Sequence, residues 1–305
     1  MAQPATSKPK KAKKQQSTMG RALVRRETIS GYLFLLPSLI FFVGFVIIPM
    51  VLCVVYSFLD YNLSGIQGFA GFANYAKLLT DTIFHRGLLN TILIVVVAVP
   101  TVTAFSLWVG SAIYKMNVFS RSFFRCVFYL PVVTGSVAVT VVWKWLFNPY
   151  NGLINQVTGN VGFDWLGNPK TAIWCIIMIL FTTSIGQPIV LYTSALGNVD
   201  ASIIEAAQVD GATNLQVFWK IKWPAIMPTT LYVLVITTIN SFQCFALIQL
   251  LTSGGPMYTT TTIMYQIYDT AYKLNNIGYA NAMGVVLAII IAVFSSLQFK
   301  LSKSE

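Results

Sequence analysis

The sequence predicts an all-α membrane protein with six transmembrane helices and both termini in the cytoplasm. Three observations lead there. Of 305 residues, 56% are hydrophobic and only 10% charged, with a mean hydropathy of +0.69. Soluble domains carry about 45–50% apolar and about 25% charged residues, so lipid must solvate much of this chain. Six stretches, roughly 31–57, 88–114, 122–146, 172–195, 228–252 and 278–300, reach the length of about 20 mostly apolar residues that spans a bilayer. Lysine and arginine, finally, fall unevenly on the two sides those spans define.

The N-terminal segment 1–28 holds eight of the basic residues, Lys8 to Arg26, among Gln, Ala, Pro and Ser. It has too few apolar residues to offset ordering entropy and reads as a disordered cytoplasmic tail, solvated or touching acidic lipid heads. The apolar run that follows is longer than the 7–15 residues of a signal peptide and lacks a small-residue cleavage pattern, so a retained helix is expected. Segment 29–80 then comprises that first helix and an outward loop, and 81–302 a five-helix core. Prolines Pro49, Pro100, Pro131 and Pro188 fall inside spans, where neighbouring helices can satisfy the freed backbone groups. Lys144, between Trp143 and Trp145, reads as an interfacial anchor.

With the N-terminus inside, 15 Lys and Arg face the cytoplasm and Lys77, Arg86, Lys144, Lys170 and Lys273 face outward. That three-to-one excess orients the chain. The same distribution argues against nucleic acid, which needs basic and aromatic side chains presented together on one folded face. The outward loops near 58–87, 148–170 and 252–262 are rich in Gly, Asn and Pro, suited to connection or to docking an external partner.

One inward loop differs from the rest. Residues 200–228 read DASIIEAAQVDGATNLQVFWKIKWPAIMP and parse as two short helices. Asp200 can cap the first, Asp210-Gly211 ends it, and Thr213 or Asn214 can cap the second. Pro224 and Pro228 then mark the return to the membrane.

Glu205-Ala206-Ala207, Asp210-Gly211-Ala212, and Ile221 with Pro224 match the EAA…G…I.LP signature. On these residues the chain resembles the permeases of binding-protein-dependent ABC importers. Phe245 to Thr252 (FALIQLLT), Gly254-Gly255-Pro256, the GLIN core of Asn148–Asn155 and NIGYANA at Asn276–Ala282 are similar to the carbohydrate-uptake branch, which includes maltose and multiple-sugar permeases. Trp223, where the branch usually has leucine, and the GNVDAS run from Gly197 depart from it without touching the signature. The resemblance implies the type I ABC importer permease fold in a bacterial cell membrane. It implies that Glu205, Ala206, Ala207, Asp210, Gly211, Ile221 and Pro224 engage an ATPase subunit. It also implies two copies of that ATPase, a second and different permease, an extracytoplasmic solute-binding protein, and alternating access driven by ATP. Without the resemblance, the same loop reads equally well as an amphipathic helix at the interface.

For the solute, spans four and five carry Thr182, Gly186, Gln187, Thr237, Asn240, Ser241 and Gln243. Hydroxyls and amides donate and accept without fixing charge, which suits a sugar; they also bridge helices within bundles. Tyr192 or Phe242 offers a ring to stack on a sugar face. A different polar solute such as glycerol phosphate is the alternative, and a secondary transporter a remoter one, since all nine acidic residues lie outside the span centres. Enzymatic chemistry has no foothold. His85 is the sole histidine, the four cysteines are scattered in apolar runs with no metal-ligand spacing, and no phosphate-binding glycine loop occurs. Neither cofactor nor metal is expected.

Overall fold

The computed structural model describes Thr28 and residues 30–302, with side chains to 300. The basic tail, and with it the expectation of disorder, lies outside the described residues. The described chain falls into two units that divide between Val55 and Tyr56.

The first unit is formed by α1 (Ser30–Ser57), whose run to Val55 is apolar and exposed along nearly all its length. A helix that is hydrophobic all round calls for lipid or another protein as its solvent. Residues 43–47 take π-helical geometry.

The second unit opens with an element that an all-helical reading missed. Strands β1 (Leu59–Asn62) and β2 (Gly65–Phe69) pair antiparallel, and Asn62 bridges to Asn276. Asn74, in the short helix α2 (Ala73–Thr80), ties down the entry to the hairpin by donating to the carbonyls of Ser57 and Leu59 at 2.9 and 3.1 Å.

Asp81 caps α3 (Thr82–Ile113), its carboxylate accepting from the amides of Ile83 and Phe84 at 2.9 and 3.1 Å. Partial burial pushes Asp81 upward, but bonds from the Tyr279 hydroxyl and those amides, with Lys77 nearby, hold it below the ordinary carboxylate range. α3 is the helix around which the rest packs. One face meets Ile176, Ile179 and Ile248 through Ile94 and Ala98; another meets Phe242, Ile263 and Met283 through Phe84, Val95 and Val99.

Two predicted spans are bent. The stretch 122–146 is two helices, α4 (Val118–Val133) and α5 (Ser136–Leu146), meeting at 96°. Pro131 removes an amide donor, and Thr134 and Gly135 are extended, so the hydrogen-bond ladder cannot cross the junction. After the short helix α6 (Leu153–Thr158), α7 (Ala172–Ser184) and α8 (Gly186–Gly197) meet at 41° about Ile185, just before Pro188.

α9 (Ala201–Val209) and α10 (Asn214–Val217) form the loop at 200–217. Pro224 and Pro228, expected to mark the return to the membrane, do not interrupt the helix. α10 passes through a π-helical segment, Phe218–Lys222, straight into α11 (Trp223–Phe242). Pro224 stands at the start of α11, where its missing N–H costs little, and Pro228 is carried inside it. After a break at Gln243, α12 (Ala246–Leu251) and α13 (Ile263–Tyr268) lead to the final span, α14 (Ile277–Ser302). Among the described residues, four helices are long and apolar enough to cross a membrane, or up to six spans if each bent pair is one.

Candidate functional site

The α9–α10 loop is built by local rules. Asp200 accepts from the Ser202 amide at 2.9 Å, and that bond holds its carboxyl below the usual range. At the other end of α9, the Ala212 amide donates to the Ala207 carbonyl at 2.9 Å and the Gly211 amide to that of Gln208 at 3.1 Å. This is the Schellman arrangement, and it needs the left-handed conformation that Gly211 adopts at φ +83°. Thr213, rather than Asn214, caps α10. Its hydroxyl accepts from the Gln216 amide while the Gln216 side chain accepts from the Thr213 amide, a reciprocal capping box.

The loop so fixed presents apolar side chains to the outside. Ile203 is 52% exposed, Val209 88% and Leu215 69%. Glu205, Ala206, Asp210 and Gly211 are exposed with them, and Ala207 and Ile221 are half-buried. Exposed apolar residues gathered on a capped helix pair make a surface suited to contact with another protein or with the membrane.

Of the other candidate residues, Thr237, Asn240 and Ser241 lie on α11, into which α10 continues, and Thr182, Gly186 and Gln187 on α7 and α8. Val132 of α4, Thr183 and Ser184 of α7, Gln187 of α8, and Tyr232, Thr237 and Asn240 of α11 line an open cavity. A second cavity shares Val132 and Thr183 with the first and adds Thr134, Ser136 and Gln243. The two adjoin, with hydroxyls and amides on apolar walls and no charged side chain among the lining residues. The Thr183 hydroxyl donates to the carbonyls of Ile179 and Leu180 at 3.1 and 3.0 Å, which leaves its oxygen free to accept from a solute.

Of the residues expected on the pathway, Gln187, Thr237, Asn240 and Gln243 line these cavities. Thr182, Gly186 and Ser241 do not. Thr182 donates to Ile179 at 2.8 Å, and Ser241 is 2% exposed. Gly186 is where α8 crosses α4: a Cβ there would collide with the Phe128 carbonyl and stand 2.8 Å from Val132 Cγ2, so only glycine fits. Neither ring offered for stacking has an open face. Tyr192 and Phe242 are both fully buried, the first among Leu196, Ile226 and Val233, the second beside Phe294 at 5.3 Å. Thr134, Ser136 and Tyr232, by contrast, were not singled out beforehand. The first two sit at the 96° break, and nothing in a run of apolar residues marks where a helix will turn its end toward a cavity. Among the described residues, no group of three or more His, Cys, Asp or Glu is placed to hold a metal ion.

Residues 84–304 match the family model described as binding-protein-dependent transport system inner membrane component. Among relatives, the chain is 31% identical to the probable ABC transporter permease protein YesP of Bacillus subtilis (strain 168), over 92% of each chain. It is also 31% identical to the multiple sugar-binding transport system permease protein MsmF of Streptococcus mutans serotype c, over 90% of this chain and 95% of that one. Among solved structures, a chain of a bacterial alginate ABC transporter, in complex with a periplasmic protein bound to an alginate pentasaccharide, superposes with a TM-score of 0.79. The match covers 92% of this chain and 96% of that one at 24% identity, and so speaks for the fold.

Proposed function

Because the chain belongs to the family of binding-protein-dependent transport system inner membrane components, we propose that it forms half of the translocation pathway of an ABC importer for a sugar or oligosaccharide. A second, different permease supplies the other half. Two copies of a separate ATPase subunit hydrolyse ATP, and this chain carries no catalysis of its own. A solute-binding protein delivers substrate to the outward loops. Both termini face the cytoplasm, as the lysine and arginine excess requires.

The observation that carries this reading is one of continuity. A helical rod runs unbroken from Asn214, in the exposed loop, to Asn240 and Thr237, in the cavity wall. ATP-driven closure of the ATPase pair on Glu205, Ala206, Ala207 and Asp210 displaces the loop, whose angle Gly211 sets. The rod transmits that displacement, with Ile221 and Pro224 at its foot, and the cavity shifts between outward and inward access. Uncharged hydroxyls and amides on apolar walls suit a polyol, since they exchange hydrogen bonds with its hydroxyls one for one as it passes. They also suit release, because no charge holds the solute in place.

The test is to reconstitute the assembled complex and replace Glu205 or Gly211. Solute-stimulated ATP hydrolysis should fall while assembly persists. Normal stimulation in both variants would sink the coupling role.

A further inference from the structure

A second cluster gathers around Tyr114 just beyond the end of α3. The Lys222 ammonium donates to the Tyr114 hydroxyl at 2.6 Å and stands 5.1 Å from the ring centroid. The Lys115 ammonium lies 5.9 Å from the same centroid. Arg121 donates from a terminal guanidinium nitrogen to the Tyr114 carbonyl at 3.3 Å. Three cations thus converge on one residue. No carboxylate among the described residues lies within 4.0 Å of any of them; the ion pair found there, Lys273 with Asp269 at 2.8 Å, is elsewhere. Lys222 is only 8% exposed, and a buried cation is costly unless an anion pairs with it. Its partner here is a neutral hydroxyl.

The surroundings say what kind of anion belongs. The apolar span of α3 ends at Ile113, so Tyr114 stands at the membrane boundary. Trp223 packs in the same apolar cluster, and Trp219, 54% exposed, lies 5.6 Å from it. Tryptophan and tyrosine with flanking cations mark the headgroup layer. Beside them α4 begins with exposed Val118, Phe119 and Phe123. We propose that Lys115, Arg121 and Lys222 around Tyr114 bind the phosphate headgroup of an acidic phospholipid, whose acyl chains lie along the apolar start of α4. The lipid supplies the anion that the fold omits. A free phosphate would meet the same cations, but it would leave Val118, Phe119 and Phe123 without a role.

The test measures retained lipid on the purified complex, without nucleotide or solute, so it is independent of transport. Detergent-solubilised complex is exchanged with equimolar phosphatidylglycerol and phosphatidylcholine of identical chains and examined by native mass spectrometry. Wild type should favour phosphatidylglycerol, and each cation removed should cut the preference about fivefold. Lys222→Met should show that cut and Lys222→Arg should keep the wild-type preference. Should Lys222→Met fail to assemble, the double variant Lys115→Gln with Arg121→Gln, both nearer the surface, decides alone. Equal retention of the two lipids by wild type, or an unchanged preference in the double variant, overturns the proposal. So does complete displacement of phosphatidylglycerol by millimolar inorganic phosphate, which would assign the site to a free anion.

Discussion

The exposed loop and the cavity wall share one continuous helix, α10 into α11, yet are held in shape by opposite means. Residues 200–217 keep their form through caps made within a few positions: Asp200 to Ser202, Ala212 to Ala207, Thr213 to Gln216. The cavity at Thr183, Gln187 and Asn240 exists only because α4, α7, α8 and α11 meet there, along helices bent by 96° and 41°. A loop capped within itself keeps its shape without support on its free side, whereas a cavity formed where four helices meet changes when any one of them moves. The difference therefore teaches where stiffness and compliance sit in this molecule.

The largest effect that would sharpen this contrast is expected at Gly211. Gly211→Val forces a β-branched residue into φ +83°, at a cost of about 1–3 kcal/mol, and misdirects α9 against α10. Solute-stimulated ATP hydrolysis should fall at least tenfold, with the complex still assembled. Retained stimulation would show that the loop tolerates a changed angle.

Next comes the crossing of α8 and α4. Gly186→Ala places a methyl group against the Phe128 carbonyl and Val132, and overpacking of that kind costs about 1–3 kcal/mol. The thermal midpoint of the purified complex should drop by several degrees. If it does not move, the close approach of the two helices is not as described.

Smaller effects belong to the cavity itself. Asn240→Ala and Gln187→Ala each remove one exchangeable hydrogen bond, worth about 0.5–1.5 kcal/mol, so the KM for uptake should rise about two- to tenfold. The rate of ATP hydrolysis at saturating solute should change little. A matching loss in Gly211→Val and Asn240→Ala would erase the distinction between the two regions.

The smallest concerns pH. Asp81, held below its ordinary range, binds fewer protons folded than unfolded, so its contribution to stability is present above the unfolded carboxylate value and fades as pH falls toward the folded one. Asp81→Asn should destabilise the complex near neutral pH, and its difference from wild type should shrink on acidification below about pH 4. A difference independent of pH would mean that Asp81 acts through shape alone.

Much of the loop was legible because its determinants are neighbours in sequence. The caps, the left-handed glycine and the exposed alanines can be read from DASIIEAAQVDGATNLQ without knowing what lies across the bundle. The cavity was legible in part. Polar residues stood out in spans four and five, but which way Ser241 and Asn240 point depends on helix rotation, and adjacent positions on a helix face about 100° apart. Hence Asn240 lines the path and Ser241 is buried. Thr134 and Ser136 escaped notice because the break beside them follows from how α4 and α5 pack, and Pro131 alone permits a kink without requiring 96°.

Hydrophobicity along the chain determined that lipid solvates much of this protein and which stretches are apolar enough to cross it, and the caps of the 200–217 loop were determined with them, since each of these depends on runs of adjacent residues. The bends, the hairpin at 59–69 tied to Asn276, the path between helices and the cation cluster at Tyr114 were decided by tertiary structure. Their decisive links, Asn62 to Asn276, Tyr114 to Lys222 and Val132 to Asn240, join residues far apart in sequence, and only packing in three dimensions can weigh such contacts against one another.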